Sequence, residues 1–270
     1  MEHELGYPAA ISSLAKRKMS AGIDAALRSL VLLERSRRVR QMVDLCLTGI
    51  EVEPMPPCLG EGHRAILVSN YPSIAGTLRA VMKVTCRLPG QKTRLKAIAR
   101  PEVVAQANPV LKALGIERLV FPVEKNDAGA YRLERKVLSE VLAYLDGPGH
   151  VLWLSITGRT RGNGLLEEDR RTGAAQFAVK KRVPVVPMGL VTRERNGKLQ
   201  VVKVRFGEPI NPPEEEREIG EFEKADFLID FSRLAMCQIA SLLPPGQRGD
   251  FENVDEKLAE ARQCLGAYQF

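Results

Sequence analysis

Apolar residues along the chain fall into short runs separated by longer stretches of helical spacing. Arg64–Ser69 (RAILVS), Leu95–Ala99, Arg118–Val123, His150–Ile156 and Val183–Val191 are each long enough for a buried strand and too short for an ordinary helix. Leu199–Phe206 alternates apolar and polar residues in the manner of a strand with one face buried, and Thr48–Glu53 does so over a shorter span. Between these runs, helical spacing predicts helices over roughly 16–47, 73–88, 102–114, 128–145, 171–182, 224–243 and 253–266. Leu133, Val137, Val141, Tyr144 and Leu145 form the apolar face of the fourth of these. Punctuation agrees: Pro101 opens a helix, Gly115 closes it, and Asn196-Gly197 reads as a hairpin turn. Strands alternating with helices predict an α/β fold: a single mostly parallel mixed sheet covered by helices on both faces, with an N-terminal helical extension. The expected division is a basic helical segment over 1–47 and an α/β domain over 48–270.

Charge narrows the partners. Forty Lys and Arg against 33 Asp and Glu give a net charge of +7, which favours anionic ligands or surfaces. Between Lys16 and Arg40 lie Lys16, Arg17, Lys18, Arg28, Arg35, Arg37, Arg38 and Arg40 against only Asp24 and Glu34. Such a helix either solvates its charged face or rests on an anionic membrane surface. No apolar run is long enough to span a bilayer, so the expectation is a cytoplasmic protein, peripheral where it meets a membrane. Aromatics make up 5% of the chain, too few for base-stacking platforms, and nucleic acid is not expected as a partner. Five scattered cysteines without a CxxC pair, and three distant histidines, offer no metal site. There is no GxSxG elbow and no phosphate loop ending in Gly-Lys-Ser/Thr.

The chemistry suggested by the residues centres on HVLWLSITGRTR, His150–Arg161. A buried strand stops at Thr157-Gly158, and Arg159 and Arg161 follow in a Gly-flanked turn. Ligands of open α/β sheets sit beyond the carboxyl ends of the strands, and Arg grips phosphate through paired charge-assisted hydrogen bonds. The same pattern also suits a plain solvated turn. Trp153 and Met188 read as core, and Ser73 and Asn70 as helix caps in preference to carbonyl-binding groups. Glu124 and Asp127 read as local pairing or capping groups in preference to a base.

The order of these pieces resembles the glycerol-phosphate and lysophospholipid acyltransferase family over roughly residues 47–211. The matching pieces are LTGIEVE, AILVSNYPS, RPEVVAQANPVLKALGIERLVFPVEKND, LWLSITGRTRGNG, RTGAAQFAVKKRVPVVPMGLV and VKVRFGEPI. The resemblance implies acyl transfer from a coenzyme A or acyl-carrier-protein thioester, as donor substrate, to a phosphorylated glycerol or lysophospholipid, with no resident cofactor. It implies phosphate binding by Lys125 and by Thr157, Gly158, Arg159 and Arg161, whose spacing is closer to the plastid enzyme's Gly-Gly-Arg-Asp-Arg than to the bacterial Pro-Glu-Gly-Thr-Arg. The family's His-x4-Asp dyad, a general base with its orienting carboxylate, falls on Tyr71 and Gly76. A general base is worth ~10²–10⁴-fold, and a phenol of ordinary pKa is only about 0.1% ionised at neutral pH. His63 and His150 start strands whose far ends would carry the site, some 20–25 Å away at about 3.3 Å per residue, and His3 is near a terminus. Two expectations follow: an acyltransferase with a relocated catalytic group, or an inactive protein that binds lipid phosphate or acyl thioester.

Overall fold

The computed structural model describes residues 41, 44, 47–89, 94–100, 120–125, 131–157, 164–169, 171–213 and 221–268. The expected helix over 102–114 and nearly all of the basic segment over 1–47 lie outside these residues.

The chain forms the expected α/β architecture around β2 (Ala65–Ser69), all five residues of which are buried. β2 pairs in parallel with β7 (His150–Ser155) on one side and with β8 (Val185–Arg195) on the other. With β1 (Glu51–Val52), β3 (Arg94–Ala99), β4 (Val120–Pro122) and β9 (Lys198–Phe206), the sheet has the order β1-β9-β8-β2-β7-β3-β4. β3 and β4 are parallel to β7, whereas β9 returns antiparallel to β8 through Asn196-Gly197. Both turn residues have positive φ, 54° and 67°, the backbone that matches hairpin twist and that Asn-Gly adopts at low cost.

Period-two alternation divides the core. Ile66 and Val68 of β2, Leu152 of β7 and Val185 of β8 face one side, where α2 (Arg135–Tyr144), α3 (Gly173–Lys181), α4 (Glu221–Leu242) and α5 (Val254–Gly266) pack. Ala65 and Leu67, Val151 and Trp153, and Val186, Met188 and Leu190 face the other, under Ala80, Val81 and Val84 of α1 (Ile74–Arg87). A continuous apolar strand is thus the signature of a sheet covered on both faces. Trp153 and Met188 are buried in the core, as expected.

One expected element differs. The helix anticipated over 128–145 begins only at Arg135, and Tyr131–Arg132 instead forms β6, antiparallel to β5 (Glu124–Lys125). Residues 128–130 of that expected helix lie outside the described residues, and Leu133 reaches the core from extended chain. Backbone pairing with β5 wins over helical propensity there.

Asp44 ties the segment before β1 to α1. Its carboxylate lies 2.9 Å from Nζ of Lys83, a lysine whose side chain is only 7% exposed, and 3.2 Å from Nε of Arg87. Partial burial acts to raise the Asp44 carboxyl, but the hydrogen bonds from Lys83 and Arg87 outweigh it and hold the group below its ordinary 3.8. A carboxyl depressed by folding contributes stability above its unfolded value and loses it as pH falls through the folded one. Asp44→Asn is therefore expected to cost about 1–2 kcal/mol at neutral pH, discounted for partial exposure. That cost should vanish on acidification below 3.8, as urea unfolding at successive pH values would measure.

Candidate functional site

The carboxyl ends of β2, β7, β3 and β4 open on one rim of the sheet, because these four strands run parallel. At that rim β2 delivers Ser69, Asn70 and Tyr71. Ser69 Oγ accepts a hydrogen bond from Trp153 Nε1 at 3.1 Å, and its carbonyl accepts from Ile156 N at 2.9 Å. β7 is thereby held against β2 up to Thr157, which is 4% exposed. Asn70 does not cap a helix, contrary to expectation. Its side chain reaches across to β8, donating to Leu190 O at 3.1 Å and accepting from Leu190 N at 2.8 Å. Backbone pairing of β2 with β8 ends at Ser69–Met188, and the carboxamide of Asn70 supplies the next rung with a donor and an acceptor of the same spacing as a peptide. Ser73 does cap, accepting from Gly76 N at 3.2 Å at the start of α1.

Lys125 and Tyr71 lie on the same rim. The order β7-β3-β4 leaves one strand between the end that carries Thr157 and the end that leads to Lys125, roughly 10 Å at the usual strand spacing. Lys125, exposed, is paired in register with Tyr131. The Tyr131 ring lies 4.6 Å from the guanidinium carbon of Arg100, the residue that follows β3. Arg100 in turn acts electrostatically on Tyr71. Arg100 and Tyr131 were not among the expected site residues. Arg100 carried a legible signal, a cation at the end of a buried run. Tyr131 carried none, because its position depends on a ribbon where helix was expected.

Burial pushes the Tyr71 phenol above the ordinary 10, only partly offset by Arg100. Its environment moves it away from the protonation state a base requires. Position 76 is crowded: a β-carbon there would lie 2.6 Å from Ser73 Oγ and 3.1 Å from Val201 Cγ2. His63 and His150 sit at the amino ends of β2 and β7, where Ala65 pairs with Val151, on the edge opposite the rim. The His150 ring stacks on Tyr144 at 4.2 Å, and His3 lies outside the described residues. The Glu124 carboxyl is raised by a hydrogen bond it shares with its exposed neighbour Glu134, in which Glu124 keeps the proton, with desolvation and their mutual repulsion adding to it. Its side-chain partner is thus another carboxyl.

Gly158, Arg159 and Arg161 lie outside the described residues, as does Asp127. The chain on either side is placed, at Thr157 and at Gly164. Gly164 has φ 72°, and a β-carbon there would come within 2.5 Å of Leu199 Cδ1 and 3.6 Å of Pro72 Cβ. Gly164 thus sits beside Pro72, one residue after Tyr71. Among the described residues no three His, Cys, Asp or Glu side chains gather as a metal site, and no helix is long and apolar enough to cross a membrane. Comparison of the chain with protein-family models, curated proteins and solved structures finds no match in any of the three.

Proposed function

We propose that this protein is an acyltransferase-like protein of glycerolipid metabolism that has kept a grip on phosphate and lost the base. In this reading it binds a phosphorylated glycerol or lysophospholipid at the carboxyl rim of the sheet. Lys125, Thr157 and the turn carrying Gly158, Arg159 and Arg161 are its binding residues. The observation that carries the reading is the shared rim of Tyr71, Thr157 and Lys125, reached from three different strands. Arg159 and Arg161 follow Thr157 by two and four residues, so chain length alone keeps them within about 7 and 14 Å of it. Arg100 adds a further cation at the same edge.

The chemistry of acyl transfer sets what is missing. An attacking glycerol hydroxyl must give up its proton as it meets the thioester carbonyl, and a neutral, half-buried phenol cannot take it at neutral pH. A carboxylate at position 76, the natural partner for an imidazole at 71, would have to displace Ser73 Oγ and crowd Val201. Binding without base-assisted turnover is the function these residues support best.

The test pairs binding with turnover. Arg159→Ala and Arg161→Ala are each expected to weaken binding of glycerol 3-phosphate or lysophosphatidate by about 1.5–3 kcal/mol, the value of a hydrogen bond to a charged group, read by calorimetry. Unchanged affinity in both variants would sink the phosphate assignment. Incubation with acyl-coenzyme A or acyl-carrier-protein thioester and either acceptor is expected to give no acylated product. Product that disappears in Tyr71→Phe would instead make the protein an active acyltransferase using the phenol.

A further inference from the structure

β8 does not end where its partner β2 does. Pairing with β2 stops at Met188, yet β8 continues through Gly189–Arg195 and returns as β9 from Lys198. At about 3.3 Å per residue the β8–β9 ribbon reaches roughly 20 Å beyond the end of β2, on the rim that carries Tyr71 and Thr157. Its base is fastened. Asn70 holds Leu190, Gln247 accepts from Thr192 N at 2.9 Å and donates to Thr192 O at 2.7 Å, and Ser73 Oγ donates to Leu199 O at 3.4 Å.

The charges on this ribbon are arranged unequally. In its inner half every cation has a carboxylate: Lys203 with Glu51 at 3.0 Å and Glu53 at 2.9 Å, and Arg205 with Glu53 at 3.2 Å. In its outer half Arg193, Arg195 and Lys198 are exposed and form no ion pair with any described residue. Register sets Arg195 directly opposite Lys198, and Arg193 opposite the neutral Gln200. By strand alternation these three cations share one face of the ribbon, and Glu194 points to the other. Like charges directly opposite one another destabilise a strand pair, so folding alone gives no reason for the Arg195–Lys198 pairing.

We infer that the tip of the β8–β9 ribbon, through Arg193, Arg195 and Lys198, docks on the surface of an anionic phospholipid bilayer. The rim then faces lipid headgroups, and the phosphate it receives comes from a membrane-resident lipid. This rests on the rim being a lipid-phosphate site. An unpaired cation cluster gathered on one face of a ribbon that projects past the sheet matches the negative potential of such a surface. The site is separate from the basic stretch over 16–40.

The test is flotation of the full-length protein with phosphatidylcholine vesicles containing phosphatidylserine, against pure phosphatidylcholine. Binding to the anionic vesicles is expected to fall about a hundred-fold in Arg193→Ser/Arg195→Ser/Lys198→Ser, from the known contribution of each basic residue near an anionic surface. It should be kept in Arg193→Lys/Arg195→Lys, which preserves charge. Calorimetric affinity for soluble glycerol 3-phosphate should be the same in all three proteins. Equal vesicle binding by the wild type and the triple serine variant would overturn the inference. So would displacement of the wild type from vesicles by a short nucleic-acid duplex or an acidic polypeptide at lower anion concentration than the lipid itself. Failure of glycerol 3-phosphate to bind with the ribbon intact would strike the rim reading, and leave the ribbon measurement to be judged by its own variants.

Discussion

Asn70→Ala is expected to lower the stability of the folded protein by about 3–5 kcal/mol, as measured by urea unfolding. The buried carboxamide closes both backbone groups of Leu190, and Leu190 is itself fully buried on β8. Removing it leaves a donor and an acceptor without partners where water does not reach, each costing about 1–3 kcal/mol. Asn70→Asp should be no milder, because it keeps the acceptor for Leu190 N but sets a carboxylate against Leu190 O. Asn70→Ala should also cost affinity at the rim, since Asn70 fixes where β2 hands over to Tyr71. A variant within about 1 kcal/mol of wild type would show that β8 keeps its course without this rung.

Introducing the His-x4-Asp dyad of the acyltransferases that the sequence resembles, as Tyr71→His/Gly76→Asp, is expected to give a protein destabilised by about 4 kcal/mol or more, with no acyl transfer. The second substitution is the decisive one. Gly76 is buried, and its missing β-carbon would fall 2.6 Å from the oxygen that caps α1. Forcing Ser73 aside removes that cap, typically worth about 1 kcal/mol. An ionised carboxylate placed between α1 and Val201 adds a desolvation cost. Gly76→Ala isolates the steric part and should cost about 1–3 kcal/mol, the usual range for overpacking. A double variant that folds at wild-type stability and turns over acyl thioester with glycerol 3-phosphate would show that this rim needs only those two groups to become an acyltransferase site, and that position 76 accepts an acid without cost.

How far these positions could be read in advance depends on what held them. β2, β7 and β8 are buried on both faces, so each had to be a nearly unbroken apolar run, and runs of that kind are visible in one dimension. The same holds for the Asn196-Gly197 turn, whose backbone few other dipeptides adopt cheaply. Ser73 capped as expected because a cap is a contact over three residues. Asn70 did not, because its partner Leu190 lies 120 residues away and nothing local distinguishes a cap from a rung. Residues 131–132 went to a ribbon where helix was expected because pairing with 124–125 is a tertiary choice, and the Arg100–Tyr131 contact came with it.

The sequence by itself determined that this chain makes a parallel-rich sheet covered on both sides, since only strands screened on two faces are apolar throughout. It also determined that no imidazole stands at position 71. The tertiary structure decided that Lys125, Thr157, Arg100 and Tyr71 share an edge, because strand order, unlike strand content, is set by contacts between distant segments. Packing also decided that position 76 is crowded and that the Tyr71 phenol is pushed up, because both depend on which atoms surround a residue from elsewhere in the chain.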